Sequence, residues 1–211
     1  MMASTSFPIQ YPEPSYHSFV DFPHYDIDGI GFIVPQQLYI HRCLRASSEK
    51  EWKQNPPPSI DFKVNGRLGI SLIDAENFAR PNRRKTQLRL SPAPREYSAS
   101  VPVEQARGYT IHIQWPGYKP VRVNTCGTSY NVEFMDDLER LSARIAHVVH
   151  NFLESPTSRI VGQWNGWDDL QKFRNNPDKV YLLRLVSVSA FTWQPVLAVA
   201  DEVFMPQPQH K

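Results

Sequence analysis

The sequence predicts an α+β fold: a single domain with a mixed or antiparallel sheet and one main helix packed on it. Three observations carry this. First, Leu138, Leu141, Ile145, Val148, Val149 and Phe152 fall on one face when plotted at about 100° per residue, the mark of an amphipathic helix. Second, residues 109–123 read as strand, turn, strand ahead of that helix. Third, residues 180–200 are apolar and β-branched, and read as a strand pair after it. The order ββ-α-ββ is that of ubiquitin-like β-grasp domains. This is an analogy of topology and does not fix function.

The 211 residues give room for one ordinary domain with extensions. Nineteen prolines, eight of them before Ile60, resist regular structure at the ends. We therefore divide the chain into an arm, 1–31, rich in proline and aromatics and partly disordered, a single domain, 32–203, with its core at about 60–200, and a disordered tail, 204–211. The arm's aromatics (Phe7, Tyr11, Tyr16, Phe19, Phe22, Tyr25) favour docking on the core, because solvated tails are aromatic-poor.

Within the domain, residues 32–44 are strand-like, with Leu38 and Ile40 on alternate positions. A helical turn over 47–54 is stopped by Pro56, Pro57 and Pro58. Residues 60–64 alternate as a strand, and Asn65-Gly66 signals a turn. Residues 69–75 fit a short strand or a helix capped by Ser71. Ala75, Glu76 and Asn77 tip the reading to the helix, being poor strand formers. Residues 80–95 carry six basic residues, three prolines and no carboxylate, and read as loop apart from 87–90.

In the hairpin, Pro116 and Gly117 suit the centre of a type II turn, where glycine takes positive φ at low cost. The helix should start near Asp136, with Asp136, Asp137 and Glu139 favoured by the macrodipole, and end before Pro156. A short helix over 168–173 and a turn at 175–178 precede the strongest strand, 180–188. Residues 193–199 would be its partner. Pro195 suits an edge or a strand start there. A sheet of four to six strands follows from this reading.

The net charge of +2 gives no global attraction to nucleic acid or to an anionic membrane. Two cysteines, Cys43 and Cys126, make no disulfide framework, which points to an intracellular protein of cytoplasm or nucleus. No signal peptide and no apolar run of membrane-spanning length is evident.

Nucleophile elbow, phosphate-binding loop, dinucleotide fingerprint, zinc-protease motif and EF-hand are all missing. The run Arg80, Arg83, Arg84, Lys85, Arg89 and Arg95 can contact phosphates or act as an import signal, but it lacks the interleaved aromatics of single-strand binders. A solvated loop is the simpler reading. Trp164 and Trp167 can form an aromatic platform for a sugar or peptide, or simply cap the core. His147 and His150 have a metal-compatible spacing without a third ligand in sequence. Cys126 would be a nucleophile only with a base such as His112 beside it. No catalytic, cofactor-binding or metal-binding residue is assigned, and no cofactor is expected.

Three fragments carry a resemblance. They are residues 69–75 (Gly-Ile-Ser-Leu-Ile-Asp-Ala), 111–118 with Trp115-Pro116-Gly117-Tyr118, and 185–195 with Val186-Ser187 and Trp193-Gln194-Pro195. In this order they resemble a family of uncharacterised proteins from mushroom-forming (basidiomycete) fungi. Phe191 and Thr192 stand where that pattern has Gly and Ser. The resemblance implies a fungal origin and an intracellular protein, and it supplies no site residue.

These readings favour a non-enzymatic module that binds a protein or peptide through exposed strand edges and the arm. The alternatives are a nucleic-acid or chromatin-associated protein using residues 80–95, and an enzyme with a scattered site. No membrane partner is expected.

Overall fold

The computed structural model of the chain describes residues 30–36, 59–79, 109–124, 138–155, 167, 169–189 and 192–203. Strands β1 (Phe32–Ile33), β2 (Ser59–Asp61), β3 (Lys63–Val64), β4 (Arg67–Leu68) and β5 (Ile70–Ser71) lead into helix α1 (Leu72–Asn77). Strands β6 (Thr110–Ile113) and β7 (Val121–Asn124) precede helix α2 (Leu138–Glu154) and the short helix α3 (Leu170–Arg174). Strands β8 (Val180–Ser189) and β9 (Thr192–Val199) complete the sheet. The expected arm up to residue 29, the tail, the turn at 47–54 and the start of the main helix at Asp136 lie outside the described residues.

Among the described residues the long hairpin β8–β9 is the spine of a seven-stranded mixed sheet, in the order β2-β8-β9-β6-β7. Each flank of the spine takes two short strands. β2 and β5 both pair with β8, antiparallel. On the far flank β6 runs parallel to β9 at Thr192 and Trp193, while β1 runs antiparallel to it at Ala198 and Val199. Gly31 precedes β1 at φ 129, and a side chain there would collide with the Val199 carbonyl. Glycine is what lets β1 dock. These short strands take the sheet past the four to six strands expected.

Local chemistry explains several elements. Asn65 (φ 51) and Gly66 (φ 82) are both left-handed and turn β3 into β4 through a two-residue hairpin. Residues 60–64 are broken at Phe62, which donates its N–H to the Leu183 carbonyl at 2.9 Å. Residues 69–75 resolve as both readings in turn: a short strand, then a helix whose Ser71 Oγ accepts from the Asp74 N–H at 3.1 Å. Gly117 sits at φ 81 and Tyr118 N–H donates to Trp115 O at 3.1 Å, the expected type II turn. That turn joins β6 to β7 in antiparallel register.

Helix α2 buries Leu138, Leu141, Ile145, Val148, Val149 and Phe152 against Ile111, Ile113, Leu182, Leu185, Trp193 and Leu197 of the sheet. Arg140 and His147 face solvent as the period requires, but Arg144 is half-buried. Ser142, Ala143 and Ala146 are buried too, so the covered arc is wider than the apolar stripe. The Ser142 hydroxyl stays satisfied by donating to Glu139 O at 2.8 Å.

The opposite face of the sheet is also buried, by Ile33, Leu183, Val186, Val188, Val196 and Ala198. Burial on both faces explains why residues 180–188 read as a continuous apolar run. The register slips at Leu183 and again at Val188, where β8 bulges. Pro195 departs from expectation, since it lies inside a central strand. It sits between the two places where β9 gains a neighbour on its far flank, after β6 at Trp193 and before β1 at Ala198. A missing N–H is tolerated there because neither ladder needs it.

Candidate functional site

β7 closes one end of the sheet. It pairs with β6 on one side, and among the described residues no strand pairs its other side. Its side chains alternate: Val121 and Val123 are half-buried against the helix-side core, and Arg122 and Asn124 are exposed. Thr110 Oγ1 donates to Asn124 Oδ1 at 2.9 Å and fixes the end of the strand. An unpaired edge of this kind presents backbone donors and acceptors in a row. At the other end of the sheet β2 has three residues, and its Asp61 is engaged by Arg184 at 2.5 Å and by Lys63 at 3.8 Å.

Inward from Arg122 the same face carries a polar row. Arg122 lies directly opposite His112 on β6. The parallel register Ile111↔Trp193 brings His112 alongside Gln194 of β9. His112 is 3% exposed and Gln194 0%. Gln194 Nε2 donates to Gln36 Oε1 at 3.4 Å, just beyond β1. Gln36 Nε2 is itself buried without a hydrogen-bond partner. Burial first, and then the Arg122 guanidinium, push the His112 pKa down from 6.5 to about 4, so the ring is neutral at pH 7. The sequence singled out His112 only as a partner for Cys126, and Cys126 lies outside the described residues. Gln36 and Gln194 carried no signal: their meeting spans 158 residues.

The two helix histidines meet a carboxylate that sequence spacing did not reveal. Glu76 on α1 lies 3.0 Å from His150 Nδ1 and 3.9 Å from His147 Nδ1. His150 Nε2 lies 3.7 Å from Glu154, and His147 Nε2 is 3.1 Å from Asn151. At 3.0 Å the His150 ring and the Glu76 carboxylate are in direct hydrogen-bond contact. The cluster ties α1 to α2. Among the described residues no group of three or more His, Cys, Asp or Glu is arranged to hold a metal ion.

Of the two tryptophans singled out, Trp167 is described. It stacks on Phe173 with centroids 5.7 Å apart, and its carbonyl accepts from Trp115 Nε1 at 2.8 Å. Trp115 also meets Phe173 edge to face at 4.9 Å. Trp167 is half-buried, at the margin of this cluster. Trp164 and the basic residues Arg80, Arg83, Arg84, Lys85, Arg89 and Arg95 lie outside the described residues. Among the described residues no helix is long and apolar enough to cross a membrane. Comparison of the chain with protein-family models, with curated proteins and with solved structures gives no match.

Proposed function

We propose that this chain is a non-enzymatic interaction module that binds an extended peptide by adding it as a strand to the outer edge of β7. The observation that carries the reading is that edge: four residues long, unpaired among the described residues, and backed by a sheet whose inner strands are paired on both flanks. Strand addition draws affinity from main-chain hydrogen bonds and specificity from alternate side chains. β7 supplies both, because Val121 and Val123 lie on one face and Arg122 and Asn124 on the other. The order β7-β6-β9-β8 with a parallel β6–β9 centre supports the β-grasp analogy, in which β7 is an outer strand. Two cysteines without a disulfide framework support a cytoplasmic or nuclear setting.

The test is selection of linear peptides from a displayed library against the folded full chain, followed by amide shift mapping. Selected peptides should shift the amides of residues 121–124 and leave those of α2 in place. Failure to select any binder, or shifts confined to other elements, overturns the reading.

A further inference from the structure

We infer that the segment received by β7 belongs to a partner protein and carries two apolar side chains, spaced two residues apart on an otherwise polar strand. The inference rests on the strand-addition reading and specifies its ligand. It comes from the different ways in which the two faces of the sheet end at β7. On the helix side, the register sets Ile113 opposite Val121 and Ile111 opposite Val123. Both isoleucines are fully buried. Both valines pack against the same core and are only half-buried. Among the described residues, the cover of this face therefore gives out one strand before the sheet does, at a pair of apolar side chains. On the other face β7 presents Arg122 and Asn124, both exposed. Side chains of that kind are ordinarily solvated and gain little from cover.

This asymmetry sets the pattern of the guest. A strand laid against β7 continues both faces of the sheet, because cross-strand neighbours share a face. Its residues opposite Val121 and Val123 complete the helix-side core. Successive side chains of a strand point to opposite faces, so these two residues stand at i and i+2 of the guest. The residue between them lies on the polar face. β-branched and aromatic side chains suit the two apolar positions, since they pack best against cross-strand neighbours.

The apolar pair is bounded at both ends. Towards the turn, Pro120 precedes β7, is exposed, and has no N–H to give to a guest. Beyond Val123, the alternate positions of the sequence are Thr125 and Gly127, neither of them apolar. The guest motif is therefore short: apolar, any polar residue, apolar. A guest that is apolar at every position would set half of its side chains on the polar face and gain nothing there.

The experiment titrates the isotopically labelled full chain with two capped heptapeptides of identical composition, each with two valines among threonines and serines. In one the valines are two positions apart; in the other they are adjacent. The spaced peptide can set both valines on the helix side, the adjacent peptide only one. Both should shift amides 121–124, and the spaced peptide should bind about three- to fivefold more tightly, the scale of one apolar cross-strand pair. Val123→Thr keeps the shape of the side chain and removes one apolar position, so it should bring the two peptides to equal affinity. Thermal melting checks the fold of this variant, and Val121→Thr should act in the same way. Equal binding of the two peptides to the unmodified chain, with shifts at 121–124, overturns the spacing rule and leaves strand addition standing. Absence of β7 shifts with both peptides overturns both readings. Dimerisation of the free chain through β7 makes a second copy the occupant and overturns the assignment to a partner protein.

Discussion

His112 makes the stability of this fold depend on pH in a direction and window that can be worked out. The folded-state pKa is about 4 against an ordinary 6.5, lowered by burial and then by Arg122. Between those values the unfolded chain binds a proton that the folded chain refuses. Stability is therefore fully present above pH 6.5 and falls as pH drops towards about 4. At about 1.4 kcal/mol per pH unit, the whole window is worth about 3 kcal/mol, and the part down to pH 5 about 2 kcal/mol. The side chain is 3% exposed, so solvent screening does not reduce this much. His112→Gln keeps a polar amide in the row and cannot titrate. Urea melts followed by tryptophan fluorescence are suited to the measurement, since Trp115 and Trp193 are both fully buried. From pH 7.5 to pH 5 the wild type should lose about 2 kcal/mol more than the variant. Contributions from His147, His150 and the carboxylates cancel in that difference. Parallel losses, within about 0.5 kcal/mol, would refute the claim that His112 is held neutral by its surroundings.

Other substitutions test the packing and the turns. Ile145 is fully buried at the centre of α2, so Ile145→Ala should cost about 2–5 kcal/mol in a denaturant melt. A loss below about 1 kcal/mol would mean that α2 is not a core element. Gly117→Ala places a side chain at φ 81 and should cost about 1–2 kcal/mol, read as a lower melting temperature. Ser71→Ala removes the cap on α1 and should cost about 0.5–2 kcal/mol by the same assay; an unchanged melting temperature would mean that the cap contributes nothing.

The sequence made the locally determined elements legible. The stripe from Leu138 to Phe152 needs only a period, and the turns at Asn65-Gly66 and Pro116-Gly117 need only residues that accept positive φ. What it could not reveal depends on meetings between distant segments. Strands of two or three residues, such as β1 and β5, carry no period to detect. Pro195 looked like an edge signal because nothing local says that β6 and β1 divide one flank of β9 between them. Glu76 reaches His150 across 74 residues. The β7 edge is intermediate between these cases. The hairpin was plain from the turn, but which of its strands lies outermost is set by the parallel pairing of β6 with β9.

The central claim is that a peptide joins β7 through its backbone. Amide hydrogen exchange of residues 121–124, with and without a saturating selected peptide, tests it most directly. Adjacent residues of an edge strand point their N–H groups alternately inward to β6 and outward to the open side. The account predicts that the outward amides, fast in the free chain, slow by at least about tenfold when the peptide is bound, while the inward ones change little. Unchanged exchange at all four amides with the peptide bound would contradict strand addition at β7.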